Sequence, residues 1–488
     1  MGRARPRRRR PGRACRTGRR GRRGARAGAA GHDLGADAVA RCAARGDADR
    51  CCRPGGGGRG AAGAGTEVLR PGAGAGGRPT GADPGTGRTR RCAVKVLLVT
   101  GLVAGGVGGH VRMLAQGLAA AGHQVLVACP QEVARGFELD RTGATVVPVE
   151  VGSGLHPARD LQALRRLRRL AAGADVVHAH GVRAGALSAL ALASAPLVVT
   201  VHNAPPSDRR SALVYGVLER LVYCGADLVL GVSPDLVDRA RTRGVRQVDL
   251  AVVPADLTRL VPPQRRPEVR AALRRELGLV DDQLFLLTVG RLGAQKRTVE
   301  VVAAYQSMVG RHPHETGAPP VVLAVAGDGP ARVDVAAQAA GGPGRVHLLG
   351  RRDDVPELLA AADVVVSGAQ WEGQPLWLQE ALGSGVPVVA TDVGGTRVVV
   401  GDAAVLVPVS RDSGGLGGYA RVRALRAALQ QVLDDPQLRS VMSDRSLRRA
   451  HELPTAVEAV AAAEAAYARV LGTAYQTGPS DPPAPELD

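Results

Sequence analysis

Two glutamates, Glu372 and Glu380, stand eight positions apart on either side of Pro375. Pro375 suits the first turn of a helix, because its missing N–H would be unpaired there. Gly383 and Gly385 suit the end of that helix. The spacing therefore predicts a helix N-terminus between the two acids, which offers free N–H groups and a positive dipole to an anion. Acids beside an anion site fit a ligand that carries hydroxyls and phosphates together, as a nucleotide sugar does.

Two cations, Arg291 and Lys296, lie on the loop that follows the apolar run Leu284–Val289. A loop at the carboxyl end of a strand can bring both side chains to one diphosphate, where Arg offers a fork of donors and Lys a point charge. Alone, this pattern also fits a solvated surface loop. Together with the acid pair further along the chain, it predicts a diphosphate site.

Two further strand ends carry residues that could contact a nucleotide. Gly327 lies in an Ala-Gly-Asp-Gly-Pro segment after one predicted strand, and Gly350 and Arg351 follow the next strand. Glycine lets a ligand approach the backbone closely, although an ordinary strand-to-helix turn would use the same residues. The positions predict nucleotide contacts, with Gly350 and Arg351 bordering the base.

Gly105 and Gly106 close the first strand–loop–helix unit and resemble a phosphate-binding loop. The run from Gly106 to Gly109 matches the spacing of dinucleotide-binding loops only in part. We therefore predict that Gly105 and Gly106 contact the donor diphosphate, and that a nicotinamide cofactor is the weaker alternative.

Three histidines stand at the ends of two neighbouring predicted strands. His178 and His180 end the first of these strands, and His202 ends the second. A lone histidine is usually structural, but side chains at the carboxyl ends of parallel strands face the ligand cleft in open α/β folds. The grouping favours His202 as a catalytic residue.

The sequence predicts neither a metal nor a cofactor, since a nucleotide sugar would be a substrate. Five of the seven cysteines precede residue 93, and only Cys129 and Cys224 follow it. None has CxxC spacing, which argues against a zinc site and a disulfide framework.

Apolar runs alternate with helical patterns from residue 93 onward, which predicts two parallel sheets covered by helices on both faces. The Pro-rich segment 262–267 reads as a linker. The predicted units are a first domain over 93–262, a second over 268–454, a helix over 455–472 that could return to the first domain, and a loose tail over 473–488. Two such sheets create a cleft at their carboxyl strand ends.

Residues 1–92 hold 23 of the 64 Lys and Arg residues but only 6 of the 45 Asp and Glu residues, so nearly all of the net charge of +19 lies there. This Arg-, Gly- and Ala-rich segment has no aromatic residue and cannot bury a core, which predicts disorder. An unstructured extension is favoured over an anionic-lipid tether. The missing aromatics also argue against a nucleic-acid arm.

No segment reads as a membrane span, which predicts a cytoplasmic protein. The helix predicted over 158–172 carries a leucine stripe and four arginines, Arg165, Arg166, Arg168 and Arg169. Such a helix can lie on the cytoplasmic face of a membrane, but a surface helix packed on the first sheet is favoured. If the lipid contact holds, a lipid-linked acceptor becomes an option.

The chain from about 93 to 472 resembles the retaining glycosyltransferases of family 4, which have the two-domain GT-B fold. The matching residues are Gly105-Gly106, Gly122-His123, Thr200-Val-His202, Val232-Ser233, Gly290-Arg291 with Lys296, Gly327-Asp-Gly-Pro330, Glu372 with Glu380, and Gly394-Gly395.

The resemblance implies transfer of a sugar from a nucleoside-diphosphate sugar to an acceptor, with retained anomeric configuration and without a divalent metal. It places Glu372 on the donor sugar, Glu380 on the ribose, Arg291 and Lys296 on the diphosphate, and His202 near the sugar and acceptor.

Two positions depart from the family pattern. Val398 stands where the family often has an acid, and Ala255 follows Pro254 where Asn-Gly is usual. These departures keep open a second function, a catalytically silent nucleotide-sugar-binding protein of the same fold. Neither the sugar, the base nor the acceptor follows from the sequence.

Overall fold

The computed structural model describes residues 93–472 apart from 104, 153, 192–193, 207, 281, 310–319 and 410–416. The predictions of disorder over 1–92 and of a loose tail over 473–488 lie outside the described residues.

The first sheet has seven parallel strands in the order β3-β2-β1-β4-β5-β6-β7. Side chains of successive residues in β1 enter different cores, since Leu97 and Val99 pack on one face and Val96 and Leu98 on the other. This alternation is what a sheet buried on both faces requires. The strands are β1 Lys95–Thr100, β2 Gln124–Cys129, β3 Thr145–Pro148, β4 Val176–His180, β5 Leu197–Val201, β6 Leu228–Gly231 and β7 Val248–Leu250.

The second sheet has six parallel strands in the order β10-β9-β8-β11-β12-β13. Phe285 and Leu287 face one core and Leu286 faces the other. The strands are β8 Leu284–Val289, β9 Val321–Ala326, β10 Arg345–Gly350, β11 Val364–Ser367, β12 Val388–Asp392 and β13 Ala404–Pro408.

Helices connect the strands and cover both sheets. In the first half they are α1 Gly106–Ala120, α2 Gln131–Gly136, α3 Pro157–Ala171, α4 Val182–Ala191, α5 Arg209–Gly225 and α6 Pro234–Thr242. In the second half they are α7 Arg266–Glu276, α8 Thr298–Val309, α9 Arg332–Ala340, α10 Val355–Ala361, α11 Leu376–Gly383, α12 Thr396–Val400, α13 Gly417–Leu433, α14 Pro436–Glu452 and α15 Ala456–Leu471.

The last helix, α15, packs against the first half. Its Glu464 lies 3.0 Å from Nε2 of His123, and Tyr467 is fully buried in the core beside β1. A Cβ atom added to Gly117 of α1 would stand 2.3 Å from Val460, so the two helices approach closely. The chain therefore returns to its first sheet after completing the second.

The predicted fold class is confirmed: two parallel α/β units, each with helices on both faces of its sheet. Some boundaries were wrong. Helix α1 begins at Gly106, so the glycine run from Gly106 to Gly109 forms its first turn rather than a loop, because glycines do not prevent a helix whose later turns are well packed. Part of the predicted linker, from Arg266, belongs to α7.

Candidate active site

A cavity of 1270 Å³ lies between the two halves of the molecule. From the first half, His180, His202 and Asn203 line it at the ends of β4 and β5. Gln295 and Trp371 line it from the second half. The cavity thus lies outside the carboxyl ends of both sheets, where ligands of open α/β folds bind.

The helix start predicted between the two glutamates is present, and it faces a second helix start. Helix α11 begins at Leu376. Pro375 is its N-cap and so lies just before the first turn, where the sequence had placed it within that turn. A Cβ atom built on Gly106, the first residue of α1, would lie 3.3 Å from Cδ1 of Leu376. Two positive dipole ends therefore meet at one point between the halves, which favours an anion there.

Lys296 and Glu372 form a close ion pair, with the ammonium 2.5 Å from Oε1 of the carboxylate. The Glu372 side chain is 9% exposed and that of Lys296 is 25% exposed. Lys296 and Trp377 also border one small cavity, which puts the ammonium near the first turn of α11. Only two of the 64 basic residues are lysines, Lys95 and Lys296, so a lysine here stands out against the strong arginine bias of the chain.

A pair of glycines holds the backbone of Glu372. The N–H of Gly395 donates to the carbonyl of Glu372 at 3.0 Å. Gly394 has a φ of 54°, and a Cβ atom there would stand 1.9 Å from the same carbonyl oxygen. Only glycine allows this approach, which explains the Gly-Gly pair that follows β12.

We expect Gly394→Ala to lower the free energy of unfolding by about 2–4 kcal/mol, because both the φ angle and the contact with Glu372 oppose a side chain. Chemical denaturation measures the change. Gly109→Ala is the matched control, since a Cβ atom there, at the end of the first turn of helix α1, meets nothing within 4 Å. Equal stability of the two variants would contradict the tight contact between Gly394 and Glu372.

Three strand ends of the second sheet meet at Gly290, Gly327 and Gly350. The N–H of Gly327 donates to the carbonyl of Gly350 at 2.7 Å, and a Cβ atom on Gly327 would stand 1.9 Å from the carbonyl oxygen of Gly290. Arg291 is exposed, and Arg351 forms an exposed pair with Asp353. The structure thus groups the predicted glycines at one edge and leaves both arginines accessible to a ligand.

Glu380 is separate from the Lys296–Glu372 pair. It lies one turn after Leu376, so the two share a face of α11. Burial raises the pKa of Glu380, with a smaller raising effect from Asp256 that Arg259 opposes. A partly buried carboxylate with raised pKa suits acceptance of hydroxyl hydrogen bonds.

The predicted histidines do come together, and a fourth joins them. His180 Nδ1 lies 3.2 Å from Nε2 of His202, and the ring of His110 packs edge-on against both at 5.5 and 5.7 Å. His178 bonds Thr200 at 2.7 Å and the Tyr467 hydroxyl of α15 at 2.8 Å. Sequence reasoning missed His110, because its place depended on where α1 begins.

Burial keeps these imidazoles neutral. The pKa of His202 lies well below its ordinary value, mainly through burial and then through His110 and His178. Burial also lowers the pKa of His110 to about 4, and burial with His110 nearby lowers that of His178 to about 3. His202 therefore meets the cleft as a neutral donor or acceptor. Within the described residues, no group of three or more His, Cys, Asp or Glu side chains is arranged to hold a metal ion.

These shifts predict a loss of stability in weak acid. A histidine with a depressed pKa in the folded state contributes its full stability above the unfolded value of 6.5 and loses it as the pH falls toward its folded value. For His110 this window runs from 6.5 to about 4 and amounts to about 3 kcal/mol. Unfolding free energies measured across it should fall more steeply for the unmodified chain than for His110→Leu. Identical slopes would contradict the burial of a neutral His110.

Two glutamines that the sequence analysis did not predict as site residues connect the segment 372–380 to the first half. Gln374 donates to the carbonyls of Val232 and Ala251 at 3.2 and 2.6 Å. Gln379, which is 2% exposed, donates to the carbonyl of Val253 at 2.9 Å and accepts from the N–H of Ala255 at the same distance. These bonds fix the start of α11 against the first half. Their only sequence signal was their place between Glu372 and Glu380.

Helix α3, the candidate for membrane contact, turns its leucines inward. Leu167 is buried, and Leu164 and Leu170 pack against the same core, while Arg165 and Arg169 are exposed. These contacts match those of a surface helix on the first sheet. Among the residues that the structure describes, no helix combines the length and apolar character needed to cross a membrane.

Residues 105–256 match the glycosyl transferase 4-like domain, and residues 269–449 match the glycosyl transferases group 1. The chain therefore belongs to the group 1 glycosyltransferases, which have the GT-B fold.

Three individual relatives share at most about a third of their aligned residues with the chain. The chain is 30% identical over 238 residues to UDP-Gal:alpha-D-GlcNAc-diphosphoundecaprenol alpha-1,3-galactosyltransferase of Escherichia coli, covering 46% of this chain and 60% of that protein. It is 29% identical over 323 residues to D-inositol 3-phosphate glycosyltransferase of Thermobispora bispora, covering 62% and 73%. Anabaena HepE in complex with UDP-glucose superposes with a TM-score of 0.63 at 20% identity, covering 77% of this chain and 100% of HepE.

Proposed function

We propose that this protein is a retaining glycosyltransferase. It moves a hexose from a nucleoside-diphosphate sugar to an acceptor hydroxyl, in the synthesis of a cell-envelope glycan, a glycolipid or a small-molecule glycoside. The observation that carries the proposal is the position of Lys296, which is paired with Glu372 near the start of α11, while the adjoining Gln295 and Trp371 line the interdomain cavity.

The charges suit the departure of a nucleoside diphosphate. Breaking the glycosidic bond places negative charge on the leaving oxygens, and groups that hold this charge more strongly in the transition state speed the reaction. Lys296, Arg291 and the N–H groups at the start of α11 would supply that stabilisation. Glu372 holds the Lys296 ammonium at 2.5 Å, so donor binding would exchange this carboxylate for a phosphate partner.

The remaining roles follow the family resemblance. Glu372 would then contact the donor sugar, Glu380 the ribose, and the glycines of the second sheet edge the nucleotide. His202 lines the cavity, where it would lie near the acceptor, and its neutral ring can position a hydroxyl without adding charge. Retention without an enzymic nucleophile implies attack by the acceptor hydroxyl on the face that the diphosphate leaves. The UDP-sugars in the names of HepE's complex and the E. coli relative support a nucleotide-sugar donor.

A silent nucleotide-sugar-binding protein is the second candidate, favoured by Val398 and Ala255. The N–H of Ala255 donates to Gln379, and the carbonyl of Val398 accepts from Arg449 at 2.7 Å. Both backbones thus serve structural contacts that need no particular side chain, so the departures affect the ligand contacts of these positions rather than their place in the fold.

The test is a screen of the full chain with UDP, GDP, ADP and dTDP, free and sugar-linked. Ligands that bind only the folded state raise its melting temperature. We expect one nucleotide to stabilise the protein, and its sugar-linked form to be consumed when acceptor extracts are added, with the anomeric configuration retained in the product. Stabilisation without turnover would favour the silent protein, and no stabilisation by any nucleotide would contradict both candidates.

A further inference from the structure

Helix α5 exposes an apolar ridge to solvent. Leu213 is 72% exposed, Val217 is 56% exposed and Val214 is 38% exposed. The three positions are separated by one, three and four residues, so they lie on one face of the helix. Exposed apolar side chains that adjoin one another on a single face mark an interaction surface.

The charge on this face is positive. Arg209, Arg210 and Arg220 are exposed along the same helix. The acid of the helix, Glu219, is fully buried and bonds Arg239 at 2.6 and 2.9 Å on the inner side. Asp208, the N-cap, is exposed at the end of the helix, where it accepts the N–H of Ser211.

The ridge continues into the rim of the interdomain cavity. Val214 and Arg210 line the cavity, as do the exposed loop residues Leu102 and Leu155. The Tyr215 hydroxyl donates to the carbonyl of Asn203 at 2.8 Å, which ties the helix to the residue after His202. The apolar surface and the cavity mouth therefore share one side of the molecule.

We propose that the outer face of α5 docks on an anionic phospholipid surface. Apolar side chains flanked by arginines suit the boundary between lipid headgroups and acyl chains, because the arginines pair with phosphates while the apolar groups leave water. Helix α3 presents arginines but no exposed leucine at its surface, since Leu164, Leu167 and Leu170 face the core. Docking through α5 would place the cavity mouth on the membrane, so a lipid-linked acceptor could enter it. This last step rests on the proposed function.

A depth-sensitive probe tests the docking directly in the full chain. The Leu213→Trp variant is mixed with vesicles of phosphatidylcholine and phosphatidylglycerol in equal parts, with brominated acyl chains that quench tryptophan on contact. Val333→Trp is the matched control, because Val333 is 77% exposed on α9 of the second half. The native Trp371 and Trp377 give the same background in both. The basic residues 1–92 would tether both variants equally.

We expect quenching of the added fluorescence in Leu213→Trp and none in Val333→Trp. We also expect Leu213→Ser/Val217→Ser to bind these vesicles about tenfold more weakly than Val333→Ser/Val457→Ser, since two inserted side chains are lost. Equal quenching in both tryptophan variants, or equal binding by both serine pairs, would overturn the proposal. So would a dimer in lipid-free light scattering that only the Leu213→Ser/Val217→Ser variant loses, because a second copy would then cover this face.

This experiment is independent of sugar transfer. Nucleotide binding is measured without vesicles, and quenching is measured without nucleotide. Quenching without nucleotide binding would support the docking surface and contradict the proposed function. Nucleotide binding without quenching would support the proposed function and contradict the docking surface.

Discussion

Lys296→Ala should lower the rate of sugar transfer by about a thousandfold while the fold persists, because removing one preorganised charge from a developing anion costs two to three orders of magnitude. The substitution also leaves the carboxylate of Glu372 buried without its ammonium partner, which costs stability but not the sheet around it. Turnover with saturating donor, measured beside the melting temperature of each variant, checks the expectation.

Two control variants sharpen this prediction. Lys95→Ala removes the other lysine of the chain, which is exposed at the start of β1, and should leave transfer unchanged. Lys296→Arg keeps the charge but replaces a compact ammonium with a planar fork, so it should restore only part of the rate. Undiminished turnover in Lys296→Ala would remove this residue from the mechanism.

Glu380→Gln should weaken nucleotide binding by about a hundredfold, because hydrogen bonds from ribose hydroxyls to a charged acceptor are lost. Its effect on stability should have the opposite sign. The raised pKa of Glu380 shows that burial disfavours its charge, so a neutral side chain of the same shape should leave the protein as stable or more stable. Calorimetric titration and thermal melts measure the two effects.

The exposed Glu268 provides the matched control for this second prediction, since it lies in the first turn of α7 and outside the cavity. Glu268→Gln should bind nucleotide as the unmodified chain does. Full nucleotide affinity in Glu380→Gln would contradict a ribose contact, and a large loss of stability would contradict the burial argument.

The strands were predictable because burial on both faces leaves uninterrupted apolar runs. The run Leu284–Val289 matches β8 in full. Helix starts were harder, as at Gly106, because glycine, proline and polar residues occur both in loops and in first turns. Helix α14, Pro436–Glu452, was not predicted at all, since its exposed arginines dilute the apolar pattern.

The candidate site was predictable where charge and spacing coincide. Lys296, on the loop after β8, and Glu372, just before α11, are 76 positions apart; the sequence predicted one ligand site for both, and the structure places them in contact. The hydrogen bonds of Gln374 and Gln379 were not predictable, because both side chains donate to backbone carbonyls whose positions depend on the packing of both halves. The same holds for the fourth histidine, His110, because its ring meets that of His180 only in the folded protein.

The most direct test of the account is a crystal structure of the full chain with its nucleoside-diphosphate sugar. We expect the diphosphate at the start of α11, with one of its oxygens within hydrogen-bonding distance of the Lys296 ammonium and the sugar beside Glu372. A diphosphate bound away from Arg291, Lys296 and residues 372–380 would contradict it.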